Sequence, residues 1–210
     1  MDKFTVFTAV AAPYEKPNVD TDQLLPARFL RRPRSEGYQT FLFRDLRYND
    51  DNSEKPDFVL NQAPYRSAGI MVADRAFGGG SSREQAVWAL TDSGIRSVIA
   101  SSFGDIFYNN AFKNGFLPVR LDQAVLEDLR AQLLKNPGAK ITIDLEKQTV
   151  LAPDGKTHGF DIGGFHKQSM LLGLDEVGVT LLNDPEISTF EAAYKARRPW
   201  MAAAPRPVRG

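Results

Sequence analysis

From Ile70 onward the chain alternates short apolar runs with helical stretches, and few folds accommodate that order. Ile70-Met71-Val72-Ala73 reads as a buried strand, and residues 85–91 read as a helix closed by Gly94. Residues 97–101 give a second strand, 105–114 a helix stopped at Gly115, and 116–120 a third strand. Residues 122–135 set Val125, Leu126, Leu129 and Leu133 on one stripe, the spacing of an amphipathic helix. Strands and helices in strict alternation pack as a partly parallel sheet covered by helices.

The flanking segments extend this plan. Residues 4–10 are rich in β-branched and aromatic side chains and read as a strand. Residues 31–57 are polar, with many arginines and aspartates, and are expected to form an extended surface excursion. Such a long loop in a compact domain is often functional. Residues 140–146 alternate with period two, and a turn at Pro153-Asp154-Gly155 follows a second strand, as in a hairpin. A last helix should begin near Asn183-Asp184-Pro185-Glu186, proline being allowed in the first turn, and run to about Arg198. The expected organisation is one α/β domain over residues 1–198, with a mixed, partly parallel sheet and an antiparallel C-terminal appendage. The alanine-, proline- and arginine-rich tail, residues 199–210, should fray.

Composition excludes several classes of function. The 26 basic and 26 acidic residues give a net charge of zero, which argues against a nucleic-acid or membrane-surface partner. No apolar run approaches the roughly 20 residues of a membrane-spanning helix, and residues 1–6 lack a secretory layout, so the cytosol is the expected location. Cysteine is absent, which excludes disulfides, thiol nucleophiles and thiolate ligation of zinc or an iron–sulfur cluster by this chain. Two histidines, His158 and His166, cannot by themselves make a three-histidine zinc site. No metal is therefore expected on this chain, and a transition metal in its chemistry would come from elsewhere.

The segment richest in chemistry is Gly78-Gly79-Gly80-Ser81-Ser82-Arg83-Glu84, between a strand and a helix. Ser81 with Glu84 three residues later fits a capping box. Three glycines permit positive φ and close approach of a ligand, while helix N–H groups and the dipole favour an anion. Arg83 adds a planar, bidentate partner for a carboxylate. A cap and a tight turn would also explain the segment on purely structural grounds. In Asn18-Val19-Asp20-Thr21-Asp22-Gln23-Leu24-Leu25-Pro26, the aspartates are either a solvated turn or carboxylates that hold a catalytic group in place.

Together these two segments resemble the small subunit of bacterial 3-isopropylmalate dehydratase, of the aconitase swivelling-domain superfamily. Ala27-Arg28-Phe29-Leu30, residues 102–110 and Asn114-Gly115-Phe116-Leu117-Pro118-Val119 match in order and spacing, so the resemblance runs from about Phe4 to about Arg198. It implies a swivelling β/β/α fold and a hydro-lyase active only with a large subunit that carries a [4Fe–4S] cluster. The implied reaction interconverts 2-isopropylmalate and 3-isopropylmalate by dehydration and rehydration, in leucine biosynthesis. Ser81 matches the serine that in aconitase takes the proton from carbon. Ser82 and Arg83 match contacts to a substrate carboxylate, and Thr21 and Asp22 match a supporting pair beside Gly79 and Gly80. Arg34 is the candidate for a further carboxylate contact, with Arg31 and Arg32 in the same stretch. This chain departs from the family at Gly79, where cysteine is usual, and at Gln85, where histidine is usual. A paralogous hydro-lyase acting on citraconate, dimethylmalate or a related hydroxy-dicarboxylic acid therefore stays open, as does a non-catalytic anion-binding module. His158, in a turn-like stretch, reads as a surface residue, and His166 and Trp88 read as structural.

Overall fold

The first strand, β1 (Val6–Pro13), changes partner along its length, and that switch organises the sheet. Residues 6–10 pair antiparallel with β5 (Lys140–Asp144), while residues 11–13 pair parallel with β2 (Ile70–Val72). The structure, a computed structural model, describes residues 1–202. They fall into two compact units, Met1–Gly173 and the described part of Leu174–Gly210.

In the first unit, β3 (Ser97–Ala100) and β4 (Leu117–Arg120) continue the parallel half, joined through α3 (Glu84–Asp92) and α4 (Asp105–Lys113). β6 (Thr149–Leu151) and β7 (Thr157–Gly159) extend the antiparallel half beyond β5. The result is one seven-stranded sheet in the order β4-β3-β2-β1-β5-β6-β7. The antiparallel appendage expected from the sequence is thus the second half of the main sheet.

Alternation of side chains sends Ala11, Ile70, Val72, Ile99, Leu117 and Val119 into one core. Ala12, Met71, Ala73, Val98 and Ala100 enter the other. Helix α5 (Gln123–Lys135) buries Leu126, Leu129 and Leu133 in the first core, and α3 buries Ala86, Val87, Ala89 and Leu90 in the second. Coverage of both faces explains why β2 is apolar throughout and why even the polar Ser97 of β3 is buried. Helix α6 (Gly164–Leu172) adds Met170 to the first core, and His166 stacks on Phe112 at 4.2 Å.

Two sequence expectations are corrected. Residues 31–57 are not an open excursion. They wind through short turns and α2 (Arg44–Arg47), and bury Tyr38, Leu42 and Phe43 in the second core. Aromatic contacts hold the segment down: Tyr38 meets Trp88 edge-on at 5.8 Å, and Phe43 stacks on Tyr14 at 5.3 Å. His158 lies in β7 opposite Val150, not in a turn, and its Nε2 is buried without a hydrogen-bond partner among the described residues.

In the second unit, α7 (Glu176–Leu181) starts at Asp175, whose Oδ1 accepts from the Gly178 N–H at 2.7 Å. Helix α8 (Asp184–Arg197) carries proline in its first turn, where the sequence placed it, and buries none of its side chains. Sequence texture marks no boundary at Gly173. Residues 199–202 make a 3-10 turn, and the rest of the tail expected to fray, residues 203–210, lies outside the described residues.

Candidate active site

Beyond the C-terminal ends of β1, β2 and β3, three segments run side by side and preserve the strand order. Parallel bridges join Asp20 to Gly79 and Phe77 to Phe103, so the loop that follows β2 lies in the middle. The N–H groups of Gly78 and Gly79 donate to the Val19 carbonyl at 2.7 and 3.2 Å, and the Thr21 N–H donates to the Gly79 carbonyl at 2.9 Å. On the other side Phe77 N–H donates to Ser102 O at 3.0 Å, and Gly104 N–H donates to Phe77 O at 2.9 Å. This carboxyl edge of parallel strands is where open α/β sheets place their ligands.

Two of the three glycines are required by geometry. Gly78 has φ +74, and a Cβ there would sit 2.2 Å from Phe107 Cγ; Gly80 has φ +85. Gly79 is different, because a Cβ would meet only Ala76 O, at 4.0 Å. A small side chain at Gly79, such as the cysteine of the resembled family, fits without strain.

The capping box does not form. Helix α3 begins at Glu84, and its N-cap is Arg83, whose side chain makes no capping hydrogen bond. The chain turns at Gly80, and Glu84 reaches across to accept from Asn114 Nδ2 at 2.9 Å, while Asn114 Oδ1 accepts from Trp88 Nε1 at 2.9 Å. Ser81 is thereby released from capping. Ser81 and Ser82 are exposed, and neither hydroxyl has a partner among the described residues. Buried Thr21 holds the backbone beneath, its Oγ1 donating to the Ser81 carbonyl at 2.8 Å.

Arg83 is anchored along one edge. Its Nη1 donates to the Asp22 carboxylate and, at 3.3 Å, to the Leu25 carbonyl. Its side chain is 12% exposed. Nε and Nη2 have no partner among the described residues and remain available to a carboxylate. The structure therefore brings together Thr21, Asp22, Gly79, Gly80, Ser81, Ser82 and Arg83. It also adds the Ser102–Gly104 segment, which belongs to a sequence motif that by itself points to no part in the site.

Arg34 is not brought to this group. It pairs with Asp92, the last residue of α3, at 2.6 Å, and its guanidinium lies 5.2 Å over the Trp88 ring. The length of α3, roughly 12 Å at 1.5 Å per residue, separates it from the serine loop. Arg32 pairs with Glu36 at 3.5 Å, whereas Arg31 is exposed and has no partner among the described residues.

No cysteine occurs in the sequence, and no group of three or more histidine, aspartate or glutamate side chains fit for a metal occurs among the described residues. The chain's own donors do not fit an iron–sulfur cluster. No helix among the described residues is long and apolar enough to cross a membrane.

Comparison with known proteins identifies the family of the chain. Residues 1–124 match the Aconitase C-terminal domain family, and residues 127–164 match the family described as LeuD_N. Residues 176–204 match the family of the C-terminal domain of the 3-isopropylmalate dehydratase small subunit. The chain is 50% identical over 200 residues to the 3-isopropylmalate dehydratase small subunit of Gluconacetobacter diazotrophicus, covering 95% of this chain and 97% of that one. Its identity to the small subunit of Afipia carboxidovorans is also 50%, over 96% of this chain and all of the other. Among solved structures it resembles 3-isopropylmalate dehydratase (leuD) from Methanocaldococcus jannaschii, with a TM-score of 0.61 and 25% identity. That match covers 89% of this chain and 99% of the other.

Proposed function

We propose that this chain, which belongs to the 3-isopropylmalate dehydratase small-subunit family, supplies the base and the carboxylate grip of that hydro-lyase from its glycine-serine loop. The observation that carries the reading is the pair of exposed, unengaged serine hydroxyls beside an arginine anchored on one edge only.

A serine hydroxyl becomes a useful base only when its oxyanion is stabilised. Ser81 stands before the uncapped N-terminus of α3, whose N–H groups and dipole favour negative charge. Arg83 lies two residues away and holds one carboxylate of a hydroxy-dicarboxylic acid through Nε and Nη2, with Ser82 as a further donor. Asp22 and the Leu25 carbonyl keep the guanidinium from swinging, so little side-chain entropy is lost when substrate binds. Ser81 Oγ then takes the proton from the carbon adjacent to the one that bears the departing hydroxyl, so that the C–H electron pair forms the double bond as the C–O bond breaks. We assign the second carboxylate to Arg31, which is uncommitted, because Arg34 would first have to leave Asp92.

The large subunit is the partner, located like this chain in the cytosol, and it holds the [4Fe–4S] cluster. When bound there, the cluster supplies Lewis-acid polarisation of the leaving hydroxyl. Gly79 and Gln85 are neutral variation in this reading, since Gly79 has room for a side chain and Gln85 lies within α3, past the serines.

The test is anaerobic turnover of the chain mixed with its cognate large subunit, followed by the absorbance of the unsaturated intermediate. 3-Isopropylmalate and citraconate are offered in parallel. Turnover of 3-isopropylmalate that Ser81→Ala abolishes, with the two subunits still associating, is the expected result. Preference for citraconate would reassign the substrate, and silence on both acids would leave an anion-binding module.

A further inference from the structure

The loop that carries Ser81 leaves the sheet at Asp74, and this exit is gripped from α5. Arg130 Nη1 donates to the Ala73 carbonyl at 2.7 Å, and its Nη2 lies 2.9 Å from Asp74 Oδ2. Gln123 Nε2 donates to the same carboxylate oxygen at 3.1 Å, and Ser101 Oγ donates to Gln123 Oε1 at 2.9 Å. Asp74 Oδ1 accepts from the Arg75 N–H at 2.6 Å. The pair is enclosed, with side chains 7% exposed for Arg130 and 12% for Asp74.

Stability alone is a poor reason for such a pair. Desolvation of two charges offsets much of their attraction, and apolar residues of similar volume often leave a protein equally or more stable. What the pair provides is direction. The planar guanidinium bonds at once to the last carbonyl of the strand end and to the first side chain of the loop, which fixes the angle at which the chain departs. Across the stem, Ser102 Oγ accepts from the Ala76 N–H at 2.9 Å, so the loop is held from both sides before it reaches Gly78.

We infer that Asp74 and Arg130 are positioning residues that aim the Gly78–Arg83 loop and so set where Ser81 meets its substrate. This rests on the reading of Ser81 as the base. Neither residue touches substrate, and both act through the backbone between them and the serines.

The experiment compares wild type, Arg130→Met and the double variant Asp74→Leu/Arg130→Met in the complex with the large subunit. The readouts are kcat, KM, the thermal midpoint and amide hydrogen exchange of residues 76–83 in the full chain. The double variant should keep its midpoint but lose about 10- to 100-fold in kcat, the scale expected for a catalytic group displaced by about 1 Å. KM should stay within about twofold, and the 76–83 amides should exchange faster. A double variant with wild-type kcat at a wild-type midpoint, or with unchanged exchange, overturns the inference. Should that variant fail to fold, Gln123→Met loosens the same carboxylate without removing the ion pair. Faster exchange with a lower kcat then supports the inference, and no change in either overturns it. Failure of the underlying reading looks different: Ser81→Ala would then turn over like wild type, whatever the exchange of the loop.

Discussion

Gly104→Ala separates loop placement from fold stability. Gly104 has φ −63 and ψ 134, a conformation alanine adopts freely, so the substitution carries no backbone penalty. Its Cβ, however, would lie 2.5 Å from the Gly78 carbonyl oxygen and 3.0 Å from Gly79 Cα. Ordinary contact begins near 3.4 Å, so the Gly78–Gly80 backbone must retreat by about 0.9 Å. Overpacking of this kind costs roughly 1–3 kcal/mol of stability. The same displacement at a catalytic group costs about 100-fold in rate. Steady-state kinetics of the assembled enzyme, beside its thermal midpoint, measure the two effects separately. Gly94→Ala is the control: nothing lies within 4 Å of its Cβ, its φ of +87 makes alanine strained, and it sits past the far end of α3. It should cost about 1–2 kcal/mol and leave kcat unchanged. Equal losses of kcat in the two variants, or a Gly104→Ala enzyme with normal kcat, would refute the claim that loop position controls turnover.

Four further outcomes follow from single sites. Arg31→Ala should raise KM by about 10- to 100-fold, the worth of a charged hydrogen bond. Arg34→Ala breaks a half-exposed pair and should change stability by no more than about 1 kcal/mol, with KM unmoved; the reverse pattern in steady-state kinetics would return the carboxylate to Arg34. The Tyr14 hydroxyl is buried without a partner among the described residues, and burial pushes its pKa up to about 12. Tyr14→Phe should therefore leave urea stability unchanged or raise it by up to ~1 kcal/mol, and a clear loss would reveal a partner for the hydroxyl. For Asp74, burial alone would raise the carboxyl pKa, but the Arg75 N–H, Gln123 and Arg130 outweigh it and hold it below its ordinary 3.8. A depressed carboxylate contributes stability above 3.8 that is lost as pH falls through the lower folded-state value. Asp74→Asn should flatten that acid limb in urea titrations at several pH values, and an unchanged limb would show that other carboxylates carry it.

How much of this was legible depends on whether the signal was local. Strands β2, β3 and β4 and helices α3, α4 and α5 follow from runs such as Ile70–Ala73 and from the Leu126–Leu129–Leu133 stripe, because both faces of the parallel half are buried. Residues 31–57 misled because Tyr38, Leu42 and Phe43 are scattered among charges without a period, and their partners Trp88 and Tyr14 are distant in sequence. The serine loop shows the same divide. Its residue types were readable from Gly78–Glu84, and so was its position between strand and helix. Its hydrogen bonding was not, since Glu84 answers to Asn114 and Thr21 to the Ser81 backbone, across 30 and 60 residues. A motif of serine followed by glutamate at the third place names a cap only while nothing outside the segment competes for those side chains. Here the competition has a chemical consequence. With Glu84 drawn to α4 and the helix starting late, Ser81 keeps a free hydroxyl beside an uncapped helix end, the arrangement a base needs and a capping box would have used up.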